Sequence, residues 1–357
     1  MLKSADVELS QKSPNASHAI SRDKNSDRVR MGVIGYGYWA RTLFGISTCR
    51  KDRTVETPRS RRACSGNKFV VSRAGDAYDA PEIEAKSEIP IKIRLMRNAF
   101  TTIKRTARSL LESTIPGYRF LLRRDNDLRG PVGQPRAPWH NAVLKTSQES
   151  HEAIEQVKNL RLPLVSDAPK NWDTLAALDC ILANTSKAAS VLDAGAETYS
   201  RMLPWLCLYE YRRLDGINIV FGEQKKLGPI TYKYGDITST DYDSATFDVI
   251  TCLSVIEHGV DLKEYFREAS RILKPGGILI TSTDYWQRQI DTRDQQMFGV
   301  PVHVFTQEEI LQAIELATGS GFALTAPIDL ACDEKVVHWE QVDLDYTFLV
   351  FTLRKIS

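Results

Sequence analysis

Three things this sequence lacks narrow the reading before any motif does. The first is paired cysteine. Cys49, Cys64, Cys180, Cys207, Cys252 and Cys332 are scattered, with no CxxC among them. Neither a zinc site nor a disulfide framework is expected from such spacing, so no metal is assigned and the thiols are read as reduced and structural. The second is a long apolar run. No stretch approaches the ~20 residues of a membrane-spanning helix. The opening MLKSADVELSQKSPN has no apolar core of the kind a signal peptide carries. A chain without a transmembrane segment, in the cytoplasm, is expected. The third is net charge, only +2 over 357 residues. Its distribution is lopsided, however. Residues 1–170 hold 31 Lys and Arg against 18 Asp and Glu, whereas residues 171–357 hold 16 against 27. A split of this size points to two regions with different histories or partners.

The polar residues 1–28 read as a disordered tail. Residues 29–75 open with Met31-Gly32-Val33-Ile34-Gly35-Tyr36-Gly37-Tyr38-Trp39-Ala40, a short strand into a glycine turn, after which no second buried strand can be found. Residues 76–165 read as a basic, partly helical linker. Phe100, Ile103, Ala107, Leu110 and Leu111 recur there at helical spacing, with Lys104, Arg105 and Arg108 between them, until Pro116-Gly117 breaks the run. From about 166 to 357 the pattern becomes regular. An amphipathic helix at 172–184 precedes a strand at 190–193. A helix over 198–212, which Pro204 should kink or interrupt, precedes strands at 216–220, 230–234 and 247–252. Asp261 and Glu264 start another helix with capping-box spacing, as do Thr306 and Glu309. Leu273 to Gly277 reads as a helix stop and turn before a strand at 277–281, and two more strand candidates follow near 322–330 and 346–353. Alternating strands and helices predict an α/β fold: a mostly parallel sheet with helices on both faces, carrying a poorly defined N-terminal extension.

In such a sheet, ligands bind beyond the carboxyl ends of the strands. The first strand there ends in Asp193-Ala194-Gly195-Ala196-Glu197, where glycine permits a tight turn and a close approach by a ligand. The helix expected after it would offer free N–H groups. Asp193 beside that turn suits a cationic ligand better than a pyrophosphate. Asn218 ends the second strand and can hydrogen-bond a ribose hydroxyl. Asp236 and Ile237 offer an acceptor and an apolar contact to an adenine. The fourth strand runs through Leu253 into Glu257-His258. A histidine titrates near neutrality, which makes His258 the candidate base beside Glu257 if the acceptor is a hydroxyl. His303, Tyr285 and Trp286 lie where an acceptor could be contacted.

This series resembles the class I, Rossmann-like S-adenosylmethionine-dependent methyltransferases, over about residues 167–357. The resemblance rests on VLDAGAE, GDI, FDVITCLSVIEH and RILKPGGILI. It implies S-adenosylmethionine as the cofactor. Asp193, Gly195 and Glu197 would lie on its methionine side, Asn218 on the ribose, Asp236 and Ile237 on the adenine, with Leu253 in the same binding set. Two departures stand out. Ala196 or Glu197 occupies the place of a usual second glycine, and Asn218 that of a usual acid. The expected activity is methyl transfer to a hydroxyl of a small molecule or glycan, with nucleic acid not expected as partner. MGVIGYGYWA is similar to the start of the Gfo/Idh/MocA oxidoreductases over about residues 29–50, which keeps open a bifunctional NAD-dependent oxidoreductase–methyltransferase. A non-catalytic cofactor-binding scaffold and an RNA methyltransferase using the basic arm are the remaining alternatives.

Overall fold

The computed structural model describes residues 91–124, 126, 129–297 and 299–356, with side chains from Thr101 onward. The glycine turn at residues 31–40 lies outside them. The chain begins with two helices, α1 (Ile91–Glu112) and α2 (Ile115–Arg124), followed by β1 (Ala142–Val143), α3 (Ser147–Asn159) and α4 (Lys170–Asn184). Then come β2 (Ser190–Ala194), α5 (Met202–Leu208), β3 (Arg213–Asn218), β4 (Lys225–Leu227), β5 (Ile230–Tyr234), β6 (Phe247–Leu253), α6 (Leu262–Ile272) and β7 (Leu273–Tyr285). A small hairpin of β8 (Gln296–Met297) and β9 (Val300–Pro301) precedes α7 (Gln307–Gly319), β10 (Phe322–Leu324), β11 (Val337–Trp339) and β12 (Leu344–Lys355).

The main sheet runs β1-β12-β7-β6-β2-β3-β5-β4, with β10 and β11 also paired to β12. Strands β5, β3, β2, β6 and β7 are parallel, and β12 is antiparallel to β7. Successive strand residues point to opposite faces, and the sequence supplies apolar side chains to both. Val191 and Ile280 join α4 and α5 in one layer around Trp172 and Trp205, while Leu192 and Leu279 join α6 and α7 in the other around Phe266 and Ile310. The helices on both faces follow from strands that are apolar on both sides.

Strand order reverses at β2, whose neighbours are β3 on one side and β6 on the other. The carboxyl ends of β2 and β6 therefore flank the crevice where such sheets take ligands.

Several expectations are corrected. Residues 115–165 are no linker. Tyr118, Leu122, Leu144, Ala153, Val157 and Leu160 are buried in the same layer as Trp172 and Trp205, and β1 pairs with β12. Their partners are distant in sequence, so no local period announces them. Pro116 and Gly117 do not end a helix but sit in the first turn of α2, where a missing N–H is harmless. The break falls at Ser113-Thr114, and a Cβ on Gly117 would lie 2.4 Å from the Leu111 carbonyl oxygen, so only glycine lets the chain fold back there. Helix α4 is buried almost all round rather than amphipathic. The helix expected over 198–212 shrinks to α5, with Pro204 in its first turn. Strand β3 begins and ends earlier than the expected 216–220. The expected helix stop at 273 is found, with Leu273 capping α6, but β7 already begins at that residue, and Gly276 at φ +77° absorbs a register shift against β6. At the start of α7 the Thr306–Glu309 capping box forms in full.

Candidate functional site

The turn after β2 is built around Gly195. Its φ is +89°, in the left-handed region, and an added Cβ would stand 2.4 Å from Val255 Cγ2. The loop that follows β6 thus packs directly under the turn that follows β2, and glycine is required on both counts. Two residues earlier, Asp193 is buried and accepts a hydrogen bond from Thr251 Oγ1 of β6 at 2.7 Å. Burial pushes its carboxyl up to about 6 despite that bond.

The N–H groups of Gly195 and Ala196 both donate to Ile217 O, and that of Glu197 to Ser200 Oγ. Helix α5 begins only at Met202. The amides of Gly195, Ala196 and Glu197 are thus spent on β3 and on the loop itself, and the helix N-terminus expected after this strand lies further along the chain, at Met202.

Asn218 is also committed to protein. Its Nδ2 donates to Ala196 O at 3.0 Å and to Glu197 Oε1 at 3.3 Å, and its Oδ1 accepts from the Val220 N–H. The residue expected to meet a ribose instead holds the turn and the Glu197 carboxylate. Glu197 is buried, and burial raises its carboxyl to about 7. On β5's exit loop, Asp236 Oδ1 accepts from Thr238 N and Oγ1, with half-buried Ile237 between them. Leu253 is buried at the end of β6.

Beyond β6 and β7 lies a buried ionisable cluster that sequence reading caught only in part. Ser254 takes φ +53°, strained for a residue with a side chain. Its N–H donates to Ser282 O, and its Oγ contacts Lys170 Nζ. Lys170 is buried, lies 3.5 Å from the centroid of the Phe348 ring and faces Asp284 at 3.9 Å. Asp173 accepts from Ser282 Oγ at 2.7 Å, and Glu257 from Thr283 Oγ1 at 3.1 Å. Burial holds Asp173, Glu257 and Asp284 above the ordinary carboxylate range, with Lys170 pulling each the other way; Glu257 reaches about 7. His258 moves in the opposite direction, lowered by burial to about 4. It is neutral at pH 7 and a weak base there, so near-neutral titration belongs to its carboxylate neighbours.

Lys170 and Asp173 were missed because they precede β2 on a helix with no motif, although charges in the first turn of a nearly apolar helix are a signal. Asp284 could have been found by the rule that located the others, since it stands near the carboxyl end of β7. Tyr285 is fully buried with its hydroxyl on Leu330 O, and His303 lies 3.4 Å from Glu309 at the start of α7, so neither is placed in the cluster. Trp286 is half-buried, with Lys335 Nζ 5.2 Å from its ring centroid. Among the described residues, no three His, Cys, Asp or Glu side chains are grouped to hold a metal ion.

Residues 206–281 match the family model of the methyltransferase domain. Over 129 residues the chain is 27% identical to a sterol 24-C-methyltransferase of Yarrowia lipolytica, covering 33% of this chain and 32% of that protein. Over 61 residues it is 38% identical to a ubiquinone biosynthesis O-methyltransferase of Coxiella burnetii, covering 17% and 26% respectively. The chain thus spans about a third or less of the length of these curated relatives. Among solved structures, an S-adenosylmethionine-dependent methyltransferase from Mesorhizobium loti aligns at 18% identity over 48% of this chain and 94% of its own, with a TM-score of 0.35. The geranyl diphosphate C-methyltransferase of Streptomyces coelicolor A3(2) aligns at 14% over 67% and 98%, with a TM-score of 0.39.

Proposed function

We propose that this chain, whose residues 206–281 match a methyltransferase domain, binds S-adenosylmethionine between the ends of β2 and β6 and directs methyl transfer to a hydroxyl of a small molecule or glycan. The observation that carries the reading is the junction of Gly195 with Val255, which brings a ligand turn and the Glu257 loop to one crevice at the strand-order reversal. Small-molecule acceptors named in the sterol and ubiquinone relatives support the acceptor class.

The residues present fit such a cofactor, though not as the sequence implied. It is a cation with ribose hydroxyls, and the turn presents the buried carboxylates of Asp193 and Glu197. Bound there, the cofactor would supply an electrophilic methyl on a sulfonium. Glu197, held by Asn218 Nδ2, takes the ribose hydroxyls in place of an acid at the end of β3. Asp236 and Ile237 remain beside the adenine, and Leu253 closes the floor at the end of β6. Across the crevice, Glu257 takes the acceptor proton. Its carboxylate is kept basic by burial, and general bases work best when they titrate near the operating pH. His258, neutral, positions the acceptor by hydrogen bonding.

Calorimetric titration with S-adenosylmethionine tests the first half, with NADH as a separate arm for the N-terminal turn. Micromolar affinity is expected for S-adenosylmethionine. Glu197→Gln should weaken it about tenfold to a hundredfold, the scale of losing a hydrogen bond to a charged acceptor. A ligand that prefers the ionised carboxylate gains affinity as pH rises through the Glu197 value of about 7, so wild-type binding should strengthen from pH 6 to pH 8 and the variant's should not. No heat with S-adenosylmethionine sinks the proposal, and heat with NADH alone moves the function to the N-terminal turn.

A further inference from the structure

The geometry points to α1 as a helix that lies on an anionic lipid surface, a contact independent of the methyl-transfer reading. Every residue from Thr101 to Leu111 is exposed. Ile103 is 64% and Leu110 72% exposed, and Leu111 and, on α2, Phe120 are exposed as well. Ile103, Ala107, Leu110 and Leu111 are spaced three and four apart, so they share one stripe of the helix. Lys104 and Arg108 fall beside that stripe. Over its length of about 33 Å, α1 has six Lys and Arg against one acid, Glu112. It is not apolar enough to cross a membrane.

The helix is fixed to the domain at its far end. Glu112 O accepts from the Gly228 N–H at 2.7 Å, and α2 is docked through buried Tyr118, Leu121 and Leu122 and through Arg119 Nε on Cys207 O. An apolar stripe flanked by cations is what an interfacial helix needs, since the stripe enters the boundary of headgroups and chains while the cations meet lipid phosphates. A second copy is a poor occupant, because two helices of this charge repel. Nucleic acid would use the cations and leave Ile103 and Leu110 in water. The acidic surplus of residues 171–357 would be repelled by the same lipids, which favours the basic end as the one that lands.

The test is flotation of the full chain with vesicles of phosphatidylcholine alone and of phosphatidylcholine mixed with phosphatidylserine. Binding is expected to the mixed vesicles only. The double variant Ile103→Asp/Leu110→Asp should lose it at least tenfold, with an unchanged thermal melt because both side chains are exposed. Lys104→Glu should lower binding and its sensitivity to salt. Absence of binding to mixed vesicles overturns the proposal. So does binding that survives in the double variant, or salt-sensitive binding to a random RNA that mixed vesicles fail to displace.

Discussion

Gly195→Ala is expected to destabilise the domain by roughly 2–5 kcal/mol and to weaken S-adenosylmethionine binding at least tenfold. Two costs add. A residue with a Cβ held at φ +89° pays about 1–2 kcal/mol for the left-handed region. Pushing that Cβ against Val255 Cγ2 pays about 1–3 kcal/mol for overpacking, because Val255 is itself buried and cannot swing away. Urea denaturation at pH 7 measures the sum. A double-mutant cycle separates the two parts: Gly195→Ala should cost less in a Val255→Ala background than in the wild type, by the packing share. Equal costs in both backgrounds would mean that the turn and the β6 loop are not pressed together as described. The binding loss has the same origin, since any shift of the turn carries Glu197 and the Asn218 contacts with it.

That dependence shows what could be read from sequence and what could not. The sheet was legible because β2, β6 and β12 are apolar runs and the helices between them have helical spacing or caps. Strand ends could then be located, and with them Asp193, Gly195, Glu197, Asn218, Asp236 and Glu257. The local sequence did not say what each polar group would be bonded to. Asn218 reads as a ribose ligand, and nothing in its neighbourhood in sequence announces that its amide lies on Ala196 and Glu197. His258 looked like the base because free imidazole titrates near neutrality, and only its burial reverses this. Lys170 and Asp173 come from a helix over 80 residues before Glu257, joined to it by sheet topology alone. The 115–165 segment failed for a related reason. A helix near 150–161 is legible there and forms as α3, but what its apolar face packs against is not, because each piece is completed by a different distant element.

Glu257→Gln is expected to make the protein more stable at pH 8 while lowering methyl transfer about a hundred- to a thousandfold, the usual yield of a positioned base. The stability half follows from the carboxylate's burial. Its folded value of about 7 lies above the ordinary 4.5, so the folded chain holds this proton more tightly than the unfolded chain does. The stability linked to that proton is present below the unfolded value and is lost as pH rises from about 4.5 through about 7. At pH 8 the ionised group therefore opposes folding, by at most the order of 3 kcal/mol, and glutamine removes this while its oxygen can still accept from Thr283 Oγ1. The gain should shrink at pH 5, where wild-type Glu257 is already protonated. His258 acts in the reverse sense. With its folded value lowered to about 4, it costs stability as pH falls below 6.5, so the wild-type melting temperature should peak at mildly acidic pH rather than keep rising. Thermal melts of both proteins from pH 5 to pH 8 check this, beside turnover on any acceptor the wild type methylates. A variant less stable at pH 8 would make Glu257 a structural partner of Lys170. A variant that is stabilised and still turns over would leave the cluster as described but take the base role from Glu257 and pass it to Asp284, the carboxylate of the same cluster that burial also holds near neutrality.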